Sequence, residues 1–116
     1  MKRNYEEDAK RLVGLLGYGK RGAVSRTELL EQFGGTDRQM RKTISYARLK
    51  GVCIINDQDG DGYYIARTLD ELRRQYKQMT ARALDILAQR KAVKATIRIL
   101  EDIEQLKLDD IFAEVE

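Results

Sequence analysis

Histidine, proline and tryptophan are absent from this 116-residue chain, and cysteine occurs once, at Cys53. Histidine is the commonest general base and metal ligand in proteins. The two serines, Ser25 and Ser45, both have structural explanations, and the sequence has no glycine-rich phosphate loop. We therefore expect a protein that is not an enzyme and that holds no cofactor and no metal.

Long apolar segments are missing as well. The longest run of larger apolar residues, at 52–55, is far too short to span a bilayer. The first ten residues carry charges where a signal peptide would be apolar. One cysteine also excludes an internal disulfide framework. These features predict a cytoplasmic protein without a membrane segment.

Charge is unevenly distributed along the chain. The net charge is +3, but seven acids and one base give residues 101–116 a charge of −6, which leaves +9 on residues 1–100. A basic body with an acidic tail is typical of nucleic-acid binders. The alternative is that the acidic tail is only a solvated helix end.

Three helix starts are predicted by a small polar residue followed three positions later by glutamate or glutamine. The pairs are Asn4 with Glu7, Ser25 with Glu28, and Thr36 with Gln39. Residues 34–35, both glycine, separate the second helix from the third, which is expected at about 37–50. A tight glycine turn between two short helices is the signature of a helix-turn-helix.

Two β-rich runs, at 52–55 and 63–66, flank a loop of glycine and aspartate and predict a hairpin. A short strand is expected at 23–24. The fold class is therefore mainly α, an α+β winged helix. Residues 1–67 are expected to form a three-helix helix-turn-helix domain with a β-hairpin wing. Residues 68–116 are expected to form a long C-terminal α-helical extension.

The loop between the β-rich runs resembles the opening of an EF-hand, with aspartate at 57, 59 and 61 and glycine at 62. Thr68 stands where such a loop requires a bidentate glutamate. We therefore expect an acidic wing tip and no calcium site.

The C-terminal extension has neither glycine nor proline, and Thr68 with Glu71 predicts its start. Apolar residues, and others that a helix-helix seam tolerates, recur along it at heptad spacing, and Arg90 interrupts the series. The residues of this predicted dimerisation seam are Leu72, Tyr76, Met79, Ala83, Ile86, Val93, Ile97 and Leu100. Two alternatives are open: a coiled coil with a second copy, or a helical hairpin bent at 90–94. Either would be a dimerisation element with an acidic tail, and we expect a homodimer.

The runs 37–44, 49–52 and 62–66 (DRQMRKTI, LKGV and GYYIA) resemble small winged-helix proteins of phages and prophages. Within residues 10–90 the layout is also similar to the N-terminal DNA-binding domain of the biotin repressor. The resemblance implies that the third helix enters the major groove and that the wing lies over a neighbouring phosphate or the minor groove. It does not carry over the ligase activity, because no catalytic domain follows within this sequence.

The candidate DNA-binding residues lie on the third helix and at the start of the second. They are Arg38, Gln39, Lys42, Ser45 and Tyr46, with Lys20, Arg21 and Arg26. The alternative for each is an ordinary solvated surface. Arg41 and Arg48 are expected to be structural, pairing with acids of the second helix such as Glu28 or Glu31.

Two functions follow from these patterns. The first is a double-stranded-DNA-binding protein of phage or prophage type, acting in transcription regulation, replication or packaging. The second is a protein-interaction adaptor that has a winged-helix scaffold and does not bind DNA. In the second case a protein partner would meet the C-terminal helix.

Overall fold

The structure is a computed structural model that describes residues 4–57 and 62–115. Its elements follow in the order α1 (Tyr5–Leu15), a 3-10 turn (Lys20–Gly22), α2 (Arg26–Phe33), α3 (Asp37–Leu49), β1 (Ile54–Asp57), β2 (Gly62–Ile65) and α4 (Leu69–Val115). The predicted fold class is confirmed, because three helices and a two-stranded hairpin precede one long C-terminal helix. The chain divides into two compact units, Met1–Tyr76 and Lys77–Glu116, whereas a boundary at 67 was predicted from the sequence.

The helix starts follow from the capping residues. The side chains of Asn4 and Ser25 each accept a hydrogen bond from a backbone N–H in the first turn of their helices. At α3 the capping box is complete: Gln39 N donates to Thr36 Oγ1 at 3.1 Å, and Thr36 N donates to Gln39 Oε1 at 2.9 Å. Since these bonds span only three residues, the sequence determines them locally.

The core lies between α1, α2, α3 and the hairpin. Leu12, Leu29, Met40 and Ile54 have no exposed surface, and Phe33 is 1% exposed. Each helix contributes the residues of its apolar stripe, and α1 packs mainly against α3. This packing holds α3 with its polar face turned outward.

The wing is an antiparallel pair of strands in the register Ile54 with Ile65 through Asp57 with Gly62. Instead of the strand expected at 23–24, Val24 forms a single antiparallel bridge with Tyr63, in which each residue's N–H donates to the other's carbonyl at 2.8 Å. The bridge joins the chain just before α2 to the wing. The wing tip, residues 58–61, lies outside the described residues.

The C-terminal helix begins at a second complete capping box. Glu71 Oε1 accepts from Thr68 N at 2.9 Å, and Thr68 Oγ1 accepts from Glu71 N at 3.2 Å. From Leu69 to Val115 the chain is helical, including residues 90–94, so the turn of the alternative helical hairpin is not formed. Of the helices described, none carries an apolar stretch of the length and hydropathy needed to cross a membrane.

Candidate nucleic-acid interface

The outer face of α3 carries most of the residues predicted to contact DNA. Arg38, Lys42 and Ser45 are exposed, while Met40, Ile44 and Ala47 are buried as their spacing predicted. Thr43 is also fully buried, which the sequence pattern did not indicate. Its hydroxyl donates to the Gln39 carbonyl at 2.8 Å, so a polar side chain is tolerated in the core.

An open depression of about 530 Å³ lies on this face of α3. It is lined by Tyr5, Arg38, Arg41, Lys42, Ser45, Tyr46 and Leu49. Three of these seven residues are cationic and none is a carboxylate. A concave surface of this composition concentrates positive potential and attracts anions.

Arg38 and Lys42 are one helical turn apart, so their side chains share a face. Within the described ranges, neither forms an ion pair with a carboxylate. Their charges are therefore available to an external anion. The same holds for the exposed Arg21 in the 3-10 turn.

Tyr46 forms a wall of the depression. Its ring is half-buried and stacks on Tyr5 with centroids 6.4 Å apart, and Lys50 Nζ lies 5.5 Å from the ring centroid. The ring is thus held in place by α1 and by the end of α3. Sequence reasoning missed Tyr5, although its spacing of four residues from the buried Ala9 could have indicated this contact.

Gln39 lies at the predicted position near the start of α3, but its side-chain oxygen is bonded to Thr36 N. Reading adenine requires both the oxygen and the nitrogen of a glutamine side chain. In this structure the side-chain oxygen of Gln39 caps α3 and is not available to an adenine.

Asp37 joins the starts of α2 and α3. Arg26 reaches Asp37 Oδ1 through Nε and a terminal nitrogen, each at 2.8 Å, and Arg41 Nε lies 3.0 Å from Oδ2. The hydrogen bond from Arg26 is the main cause that lowers the pKa of Asp37. Arg26 was predicted to meet a phosphate, whereas here it binds the carboxylate of Asp37.

The two arginines expected to be structural do form internal contacts, but with other partners than predicted. Arg41 pairs with Asp37 of its own helix rather than with Glu28 or Glu31 of α2. Arg48 Nε donates to the carbonyl of Ile54 at 2.9 Å and so ties α3 to β1. Spacing in the sequence cannot select among such partners, because the choice depends on how the helices pack.

Lys20 lies beside the wing. Its Nζ is 3.5 Å from Asp57 Oδ2, and the Asp57 side chain is only 17% exposed. This pair connects the 3-10 turn to β1 and offsets part of the acidic charge of the wing. Of the three residues predicted to meet phosphate near α2, Arg21 is the one that forms no ion pair with the described parts of the chain.

No model of a known protein family, no curated protein and no solved structure gives a significant match to this chain.

The ion pairs of Asp37 predict a pH dependence of stability. Because the pKa of Asp37 is lowered in the folded state, its contribution is present above the ordinary aspartate pKa of about 3.9 and is lost as the pH falls through the lowered value. We expect Asp37→Asn to be less stable than the wild type at neutral pH and to lose less stability on acidification. Urea unfolding at a series of pH values measures this.

The control for this experiment is Asp102→Asn, which removes an exposed carboxylate of α4. This variant should keep the wild-type dependence of stability on pH. Equal acid slopes for Asp37→Asn and the wild type would show that the Arg26–Asp37–Arg41 contacts do not contribute to stability.

Proposed function

We propose that this chain is a double-stranded-DNA-binding protein of the winged-helix type that reads the major groove with α3. The observation that carries the proposal is the depression on α3, which is lined by three cations and no carboxylate. The second helix of a helix-turn-helix, which is α3 in this chain, is the element that enters the major groove. The proposal also accounts for Arg38 and Lys42 on the exposed face of that helix, which form no ion pair with any carboxylate of the described residues.

Three residues of the exposed face of α3, together with Arg21, have a role in this proposal. Arg38 lies in the first turn of α3, where side chains reach base edges, and its guanidinium can donate to O6 and N7 of a guanine. Lys42 can bind a phosphate or a guanine one turn further on. Ser45 can donate to a phosphate oxygen. Arg21 is proposed as a phosphate contact from the start of α2.

The wing has a smaller part in this proposal. Asp57 lies on β1 and is paired with Lys20, and the tip contains further aspartates at 59 and 61. Phosphates would be repelled by such a tip. We therefore assign DNA reading to α3 alone. The resemblance implies in addition a wing that lies over a phosphate or the minor groove, and we assign no such contact to this acidic wing.

The proposal also includes the wider expectations from the sequence, of which only the phage or prophage type comes from the resemblance. The protein acts in the cytoplasm, is of phage or prophage type, and has no catalytic activity. It forms a homodimer through α4. The apolar side chains of α4 that are exposed in a single chain support this last element.

A gel-shift titration of the full chain on a duplex of about 30 base pairs tests the function. With two phosphate contacts per chain, and therefore four in the homodimer, the affinity should fall about one-hundredfold between about 50 and about 200 mM salt, because each contact releases counterions. The control is the same titration with a single strand of equal length. An affinity that does not change with salt would contradict the proposal.

The alternative function, a protein-interaction adaptor, is favoured by Leu49. This side chain is 88% exposed and lines the same depression as the Tyr46 ring. An exposed leucine beside aromatic rings is also typical of a protein-binding surface. Failure to bind any duplex, even at low salt, would favour this alternative.

A further inference from the structure

The helix α4 presents a row of large apolar side chains without a cover. In the unit Lys77–Glu116 the seam residues Met79, Ile86, Val93, Ile97 and Leu100 are between 45% and 59% exposed. An apolar stripe of this length on an isolated helix is unfavourable in water, and pairing with another helix would bury it. The charges along α4 indicate what that helix is and how it is oriented.

The two halves of this part of the helix carry opposite charge. Residues 77–98 contain six bases and one acid, a net charge of +5, whereas residues 99–116 contain one base and seven acids, a net charge of −6. In a parallel pair of copies, each half would lie beside a half of the same sign. In an antiparallel pair, the basic half of each copy lies along the acidic half of the other, which is the complementary arrangement.

Continued beyond Leu100, the heptad series runs through Glu104, Lys107 and Ile111, so that together with Arg90 it contains three charged residues. Arg90 and Glu104 both continue the heptad series, and each is seven residues from Ile97. A parallel pair would bring Arg90 against Arg90 and Glu104 against Glu104. In an antiparallel pair centred near Ile97, Arg90 of each copy lies diagonally across the interface from Glu104 of the other, so that the two opposite charges can form an ion pair.

The residues that flank the seam indicate the same centre. Lys94 and Glu101 each directly follow a seam position, and Arg82 and Asp110 each directly precede one. The point halfway along the chain between the two members of each pair lies within one residue of Ile97. In an antiparallel pair the flanking positions of one kind face each other across the interface. The seam and both flanks therefore each place opposite charges near one another in an antiparallel pair centred near Ile97.

We propose that two copies of this chain associate through an antiparallel pair of α4 helices, with the two-fold axis near Ile97. The proposal deepens the homodimer of the proposed function by specifying its orientation and its contacts. It does not depend on DNA binding, because the pairing can be measured in the absence of DNA.

A charge-reversal cycle on the full chain tests the orientation. Arg90→Glu places two acids opposite each other in the antiparallel pair, and we expect the dissociation constant of the dimer, measured by sedimentation equilibrium, to rise about tenfold or more. Adding Glu104→Arg restores the opposite charges and should return the constant to near the wild-type value. In a parallel pair each substitution only replaces one contact between like charges by another, so the second substitution would not restore association. A double variant whose dimer dissociation constant is no lower than that of Arg90→Glu would overturn the proposal.

The matched control reverses a charge on the outer face of the same helix. Lys91→Glu makes the same change of net charge as Arg90→Glu, at a position outside the seam. This variant should associate as the wild type does. A loss as large as that of Arg90→Glu would show that overall charge, rather than the seam contact, governs association.

Disulfide trapping gives a second measurement of the orientation. In a background without the half-buried Cys53 (Cys53→Ser), an Arg82→Cys chain mixed with an Asp110→Cys chain should form the mixed disulfide rapidly. Arg82→Cys alone should not crosslink to itself, because the two copies of residue 82 lie far apart in an antiparallel pair. Rapid self-crosslinking of Arg82→Cys, or a monomeric wild-type chain at high concentration, would overturn the proposal.

Discussion

Replacing Arg38 and Lys42 together by alanine is expected to weaken binding to double-stranded DNA by about ten- to one-hundredfold, since one good base contact alone is worth about 1 to 3 kcal/mol. Both side chains line the depression on α3, and neither is paired with a carboxylate in the described parts of the chain. The dependence of affinity on salt should also become shallower, because fewer counterions are released. Fluorescence anisotropy at two salt concentrations measures both effects.

The controls separate loss of contact from loss of fold and from loss of charge. Because both residues are exposed, the free energy of unfolding should stay within about 0.5 kcal/mol of the wild type. Lys91→Ala removes a positive charge from α4 and should bind DNA almost as the wild type does. Arg38→Lys keeps the charge but loses the two-pronged donor geometry, so it should weaken discrimination between sequences more than overall affinity. Wild-type affinity in the double variant would exclude α3 as the reading element.

Gly62→Ala is expected to cost the domain about 2 to 5 kcal/mol of its free energy of unfolding. Gly62 begins β2 with φ of 95°, in the left-handed region that disfavours other residues. A Cβ at this position would collide with the Val24 carbonyl oxygen, and it would lie 2.9 Å from Ser25 Cα. The collision would separate Val24 from Tyr63, whose two 2.8 Å hydrogen bonds join the start of α2 to the wing. Urea unfolding followed by circular dichroism measures the loss.

Two other glycines serve as controls for the Gly62 result. Gly34 caps α2 with φ of 77°, but nothing lies within 4 Å of an added Cβ, so Gly34→Ala should cost only about 1 kcal/mol for the backbone alone. Gly14 lies inside α1 in open space, and Gly14→Ala should stabilise the protein by about 1 kcal/mol. If Gly62→Ala cost no more than Gly34→Ala, the close approach of β2 to Val24 would be wrong.

The residues of α3 show how much of the candidate site could be predicted from the sequence. The capping residues and the buried positions of α3 lie within one or two turns of each other, and their spacing predicted which face would point outward. Sequence reasoning also expected Arg41 to pair with an acid, but it placed that acid on α2 and expected Arg26 to meet a phosphate. Arg26 and Arg41 are bound to Asp37, whereas Arg38 and Lys42 form no ion pair within the described ranges.

By itself, the sequence determined the helix starts, the hairpin, the mainly α winged-helix class and the long C-terminal helix, because each depends on bonds or periodicities that span a few residues. DNA binding by α3 and dimerisation through α4 stay predictions. Only the tertiary structure decided that Val24 contributes a bridge rather than a strand, that Tyr5 stacks on Tyr46, and that Lys20 is paired with Asp57. These contacts join residues far apart in the chain. Their partners are selected by the packing of whole elements around Leu12, Leu29 and Met40, which local patterns do not specify.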